Sequence, residues 1–251
     1  MPYAQTVLLG ALAGLTIFLG LPVARLQAVA RERLAFLNAL AIGVLFFLFV
    51  DILGHALEPI NADLGAHATA GWLLLLLLCG GFALGLLGLV YYTQHARRRG
   101  MVTPQRLALL IAGGIGLHNF AEGLAIGSSA RAGALALAVL LIIGFGLHNA
   151  TEGFGIAAPL TGQPVSWRFL GLAGLIGGGP TFLGTLVGYR FTSASISVVF
   201  LALASGAIMY VIGELLAAGR KLGAPTWQGW GLTIGLLAGI VTDVLLTAIG
   251  A

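Results

Sequence analysis

Apolar residues along this chain neither alternate with polar ones nor form a one-sided stripe. They run on almost unbroken, in eight stretches at roughly 5–24, 35–57, 69–93, 104–129, 132–159, 167–189, 192–218 and 227–249. A helix needs about 20 apolar residues to cross the hydrocarbon of a bilayer. Membrane-spanning strands show short alternating segments, a pattern absent from these runs. The pattern therefore predicts an all-α integral membrane protein with eight transmembrane helices, forming a single domain over residues 1–251. The first run has no basic segment ahead of it, and its charges follow at Arg25, Arg31 and Arg33, so it is expected to stay as a span rather than act as a signal peptide.

Composition sharpens this. Only 8% of residues are charged and 59% are hydrophobic. That leaves too little polar surface for a soluble enzyme, a disordered chain or a nucleic-acid-binding domain. The bases sort by connection. Arg25, Arg31, Arg33, Arg97, Arg98, Arg99, Arg106, Arg168, Arg220 and Lys221 fall in odd-numbered connections, whereas Arg131 and Arg190 fall in even ones. By the positive-inside rule the odd connections face the cytoplasm, which puts both termini outside together with Glu58 and Asp63. The lone Cys79 is read as a small residue within a span. Glycines recur four apart at Gly10/Gly14, Gly81/Gly85, Gly123/Gly127, Gly184/Gly188 and Gly231/Gly235/Gly239, a spacing that lets helices pack closely.

The ionisable residues inside the spans are not scattered. Span four reads Gly116-Leu117-His118-Asn119-Phe120-Ala121-Glu122-Gly123, and span five repeats the string as Gly146-Leu147-His148-Asn149-Ala150-Thr151-Glu152-Gly153. Residues i and i+4 share a helix face, so His118 projects with Glu122 and His148 with Glu152, each with an asparagine beside it. The short connection predicts an antiparallel hairpin. Two imidazoles, two carboxylates and two amides then converge near mid-membrane, a set able to hold one or two divalent cations. Two buried carboxylates repel, and a divalent cation removes that repulsion. Mixed nitrogen and oxygen donors suit Zn²⁺, Fe²⁺ or Mn²⁺ better than Cu(I), Mg²⁺ or Ca²⁺.

Other groups are placed along a pathway. Asp51 and His55, at i and i+4, and Asp243 lie toward the outer ends of their spans and would attract cations. Glu214, near the inner end of span seven, is a candidate exit ligand. Asp63 and His67 are expected in a solvated loop, and His95 beside Arg97–Arg99 at a cytoplasmic anchor.

The strings His118-Asn119-Phe120-Ala121-Glu122-Gly123 and His148-Asn149-Ala150-Thr151-Glu152-Gly153 resemble the fourth- and fifth-span signatures of the ZIP metal transporters, in their bacterial zinc-uptake branch. Weaker echoes are Ala204–Val211 with Glu214, and Gly178-Gly179-Pro180. The resemblance implies import of zinc, or of iron, manganese or cadmium, across a bacterial cytoplasmic membrane. It implies a main site of His118, Glu122, His148 and Glu152, a second site using Asn119 and Asn149, a homodimer, and an elevator-like motion. The metal is cargo; no catalytic cofactor is implied, and the partners are metal ions and the lipid bilayer, with no nucleic acid. The chain departs from the family pattern at several points. Ala121 and Thr151 stand where proline is common, Asn149 where some relatives have aspartate, Gly179 where some have glutamate, and Leu45 near a methionine position. The lost acids favour transport of one metal.

Two other functions fit a buried metal-ligand cluster. A zinc protease needs His-Glu-x-x-His and a di-iron bundle needs Glu-x-x-His pairs with further glutamates, and neither pattern is present, so an enzyme is not expected. A non-transporting metal sensor would keep the ligands without flux.

Overall fold

In hydrocarbon every backbone N–H and C=O must be paired within the protein, so long apolar runs have little choice but to coil. The computed structural model describes residues 2–26, 30–98, 103–131, 142, 146, 149–150, 152–190 and 193–248. These form α1 (Tyr3–Leu15), α2 (Arg31–Gly65), α3 (Ala70–Arg98), α4 (Pro104–Arg131), α6 (Trp167–Arg190), α7 (Ala194–Leu222) and α8 (Pro225–Ala248). Between α4 and α6 lie the helical residues 149–150 and 152–157, designated α5. No strand occurs among the described residues, and seven helices are long and apolar enough to cross a membrane. Much of the predicted fifth span, 132–159, lies outside the described residues.

The helices pack as two groups. In the first, α4 lies along α6, and α1 packs on both. The described part of α5 joins this group: Asn149 bonds to α1, Glu152 to α4, and Ile156 touches the α6 face at Gly177. In the second, α2 packs on α8, α7 and α3, and α3 packs on α7. The main seam between the groups is α4 against α7. Ala108, Ile111, Ala112 and Ile115 of α4 share one apolar cluster there with Ile208, Val211 and Ile212 of α7 and with Ile42, Leu45 and Leu48 of α2. α4 is the axis of the molecule, with 67% of its apolar window buried against 17% for α3 and α8, whose outward leucines and valines are exposed on the outside of the bundle.

Hydrophobic burial does little to hold helices together in lipid, so close packing has to. All five predicted glycine pairs lie at helix contacts. Gly10 and Gly14 meet Thr185 and Gly178, Gly81 and Gly85 meet α7, and Gly231, Gly235 and Gly239 meet α2. The tightest case joins two of the predicted pairs. Gly123 and Gly127 of α4 face Gly184 and Gly188 of α6, and a Cβ on Gly184 would lie 3.0 Å from both Gly123 Cα and Leu124 N.

Three boundaries differ from expectation. The first span leaves the α-helix after Leu15 and continues as two 3₁₀ turns, Thr16–Leu19 and Leu21–Arg25. Gly20 there sits against Gly153 and Phe154 of α5, and Pro22 opens the second turn. α2 runs past Pro59 to Gly65, so Asp63 is helical rather than in a loop; only His67, with φ 56°, lies in the turn. The extension is held because Ala56 and Ile60 pack on Leu74 and Leu78 of α3 and on Val198 and Ala202 of α7. Arg31 and Arg33 belong to the first turn of α2 rather than to a connection.

Replacing Gly184 by leucine should force α4 and α6 apart and destabilise the protein by about 1–3 kcal/mol, the usual scale of overpacking. The same change at Gly88, where a Cβ meets nothing within 4 Å, should be neutral. Thermal unfolding of both variants in detergent checks this.

Candidate metal site

The site begins with α6. Pro180 inside this helix has no N–H to donate to the Ile176 carbonyl, and its ring disturbs that turn. Gly116 of α4 packs against that same carbonyl. The next carbonyl, Gly177 O, accepts a hydrogen bond from Asn119 Nδ2 at 2.9 Å. The glycine seam brings α4 near enough for this bond, which fixes the amide plane of Asn119. The same Nδ2 also donates to Glu152 Oε2 of α5 at 3.1 Å. One asparagine thus ties three helices and holds a carboxylate in place.

Glu152 in turn faces His118. His118 Nε2 lies 2.7 Å from Glu122 Oε1 on its own helix and 3.6 Å from Glu152 Oε1. The i, i+4 spacing of His118 and Glu122 delivers the first contact, and packing of α5 delivers the second. His118 and Glu152 are each 1% exposed and Glu122 5%. His118 is about 20 Å along α4 from its basic end, deep in the span. Among the described residues no group of three His, Cys, Asp or Glu side chains forms a ready-made metal cage. What stands there is a buried layer in which one imidazole edge faces two carboxylates. Such a layer offers a nitrogen and several oxygens to a cation entering between them.

The second asparagine behaves differently from its repeat partner. Asn149 Nδ2 donates to Ala13 O near the C-terminal end of α1 at 3.1 Å, so the amide is anchored to a fourth helix instead of to a carboxylate. In both asparagines the amide nitrogen is used on a neighbouring backbone carbonyl. Both Oδ1 atoms are buried without a hydrogen-bond partner among the described residues. His148 lies outside the described residues.

The pathway residues sit above and below this layer. Asp51 and His55 of α2 pair at 3.6 Å, half-open to the surroundings, and His55 Nδ1 also lies 3.0 Å from Asp51 O. Asp51 is near enough to Asp243, His118 and Glu122 to feel the charge of each. Glu214 lines a cavity at the basic end, between α7, α2, α4 and the 3₁₀ turn Ala158–Leu160.

Several buried polar residues carry no charge and so escaped the search for ionisable groups. Asn38 donates to Leu215 O at 2.9 Å, joining α2 to α7. Thr93 and Tyr210 share a hydrogen bond of 2.6 Å between α3 and α7. Thr181 Oγ1, one turn beyond Gly177, is buried without a partner among the described residues. An amide or hydroxyl inside an otherwise apolar span is the signal that would have found them.

No family model matches the chain. A relative does: the zinc transporter ZupT of Chlorobium luteolum is 32% identical, over 98% of this chain and 99% of the relative. Identity at that level along nearly the whole of both chains, together with the helical membrane architecture, makes this chain a member of the ZIP family.

Proposed function

We propose that the protein carries a divalent transition metal, zinc foremost, from outside into the cytoplasm through the layer of His118, Asn119, Glu122 and Glu152. His148 and Asn149 complete the repeated ligand string. The observation that carries this reading is the convergence of His118, Glu122 and Glu152 in the fully buried interior of a membrane protein. Burying two carboxylates so close together is costly by several kcal/mol per ion, and a divalent cation is the partner that offsets it. That the 32% identical relative is a zinc transporter supports transport over the metalloenzyme reading.

In this reading Asp51 and Asp243 draw the cation to the outer mouth, and the His118 layer strips its water. Glu214 receives it at the basic end, which faces the cytoplasm by the positive-inside rule. Between the layer and that end, Ile111, Ala112 and Ile115 are fully buried and seal the path. Passage therefore needs the helices to move. The two helix groups supply a natural plane for it, because the inter-helix hydrogen bonds of Asn119, Arg131 and Asn149 stay within one group and those of Asn38, Thr93 and Gln228 within the other. An elevator-like slide of α1, α4, α5 and α6 past α2, α3, α7 and α8 would break none of these bonds.

Proteoliposomes loaded with a zinc indicator test the reading. The wild type should take up Zn²⁺, and a His118→Ala/Glu122→Ala double variant should fall to background; equal uptake by the two would sink the site assignment. Asn119→Leu, which releases Glu152, should weaken apparent affinity by about 10–100-fold, the scale of losing an oriented metal-ligand partner. Asp51→Asn should raise KM several-fold at low salt, and the difference should shrink as ionic strength rises. Uptake titrations at two salt concentrations measure both.

A further inference from the structure

The cavity beside Glu214 lies in the seam between the two helix groups. From one side it is lined by Asn38 of α2 and Glu214 of α7, and from the other by Leu107 of α4, Phe154 of α5 and Thr161. Its volume is about 140 Å³, room for a cation with part of its water shell, since a water molecule occupies about 30 Å³ in the liquid. Leu107 sits three helical turns, about 16 Å, along α4 from His118 toward the basic end. The cavity is therefore on the same helix axis as the buried layer, below its apolar seal.

Asn38 is 4% exposed and sits in a span that is otherwise apolar where it enters the bilayer. Its Nδ2 is committed to Leu215 O, the residue after Glu214. With Nδ2 engaged there, the oxygen Oδ1 is the atom this cavity-lining amide can offer a cation. The bond also fixes α2 against the turn of α7 that carries Glu214. An amide and a carboxylate from adjacent helices then line one cavity.

Resting on the transport reading above, we propose that Asn38 is the neutral ligand of a way-station for the transported divalent cation, in which Glu214 is the carboxylate and the α2/α7 side takes the cation over from α4 and α5. The station is built for brief occupancy. It has one acid and one amide, against the several ligands of the His118 layer, and Arg220 and Lys221 follow within two turns of α7. A cation held there is held weakly and next to positive charge, which speeds its departure.

Zn²⁺ uptake by Asn38→Leu, Asn38→Asp, Glu214→Gln and the Asn38→Leu/Glu214→Gln pair in proteoliposomes tests this, with thermal midpoints as a check on folding. Asn38→Leu and Glu214→Gln should each lower kcat by about five-fold or more with little change in KM, because loading at the His118 layer is untouched. The pair should be no slower than the worse single variant. Asn38→Asp keeps an oxygen for the cation but, when ionised, cannot donate to Leu215 O; its added charge holds the cation longer, so it should be slower than wild type yet clearly faster than Asn38→Leu. If Asn38→Leu transports normally, or Asn38→Asp is as slow as Asn38→Leu, the residue is only a helix–helix bond and the station is wrong. Absence of uptake by the wild type would instead overturn the transport reading itself.

Discussion

A carboxylate inside a bilayer must find its partner within the protein, since neither water nor lipid can supply one. Glu122 and Glu152 impose that condition on the whole first helix group. Glu152 is steadied by Asn119, Asn119 by the Gly177 carbonyl, and that carbonyl is near enough only because α4 and α6 meet along Gly123, Gly127, Gly184 and Gly188. Bulk at any of these glycines would move the amide and so the carboxylate. Pro180 contributes from the same place, since it disturbs the helix turn whose carbonyls face α4. Small residues in this protein are therefore part of the chemistry of the site, through packing alone.

The transport reading adds a second condition, that the cation leave again. A site satisfied on every side by its own group would hold metal without passing it on. The seam between the groups answers this by being apolar and weakly committed. Ala108, Ile111 and Ala112 lie against Ile208, Val211 and Ile212, side chains that can slide over one another without giving up a named hydrogen bond. The directional bonds run instead along the interior of each group, where they keep geometry fixed while the seam changes. Across the seam, Asp51 is near enough to His118 and Glu122 for their charges to act on it at long range. Attraction of that kind tolerates displacement far better than a hydrogen bond does.

The runs, the glycine pairs and the repeated His-Asn-x-x-Glu string are legible in the sequence, because each is a local pattern with a fixed helical period. Which helices neighbour one another is not. Among the described residues α4 packs most extensively on α6, a choice made by glycine faces that only three-dimensional packing brings into register. The repeat also suggests equal roles for its two asparagines. Their surroundings differ: Asn119 finds a carboxylate and a carbonyl, whereas Asn149 finds the Ala13 carbonyl in the last turn of α1, just before the chain passes into 3₁₀ turns after Leu15. Asn38 is legible as an amide in an apolar span, but its pairing is not. Its partner is a backbone carbonyl 177 residues away, and no spacing along the chain encodes that.

Charge along the molecule then acquires a direction. Asp51 and Asp243 place negative charge toward one end, Glu122 and Glu152 concentrate it in the dry interior, and Glu32 and Glu214 lie where the basic residues of α2, α4 and α7 collect. A divalent ion moving down this series exchanges weak attraction in water for strong coordination in a low-dielectric layer, and then for a single carboxylate near arginine and lysine. Coulomb energy between unit charges 4 Å apart falls from about 4 kcal/mol near a protein surface to about 1 in bulk water. On the transport reading, the same bases that orient the chain by the positive-inside rule would also weaken the cation's hold at the end where it leaves.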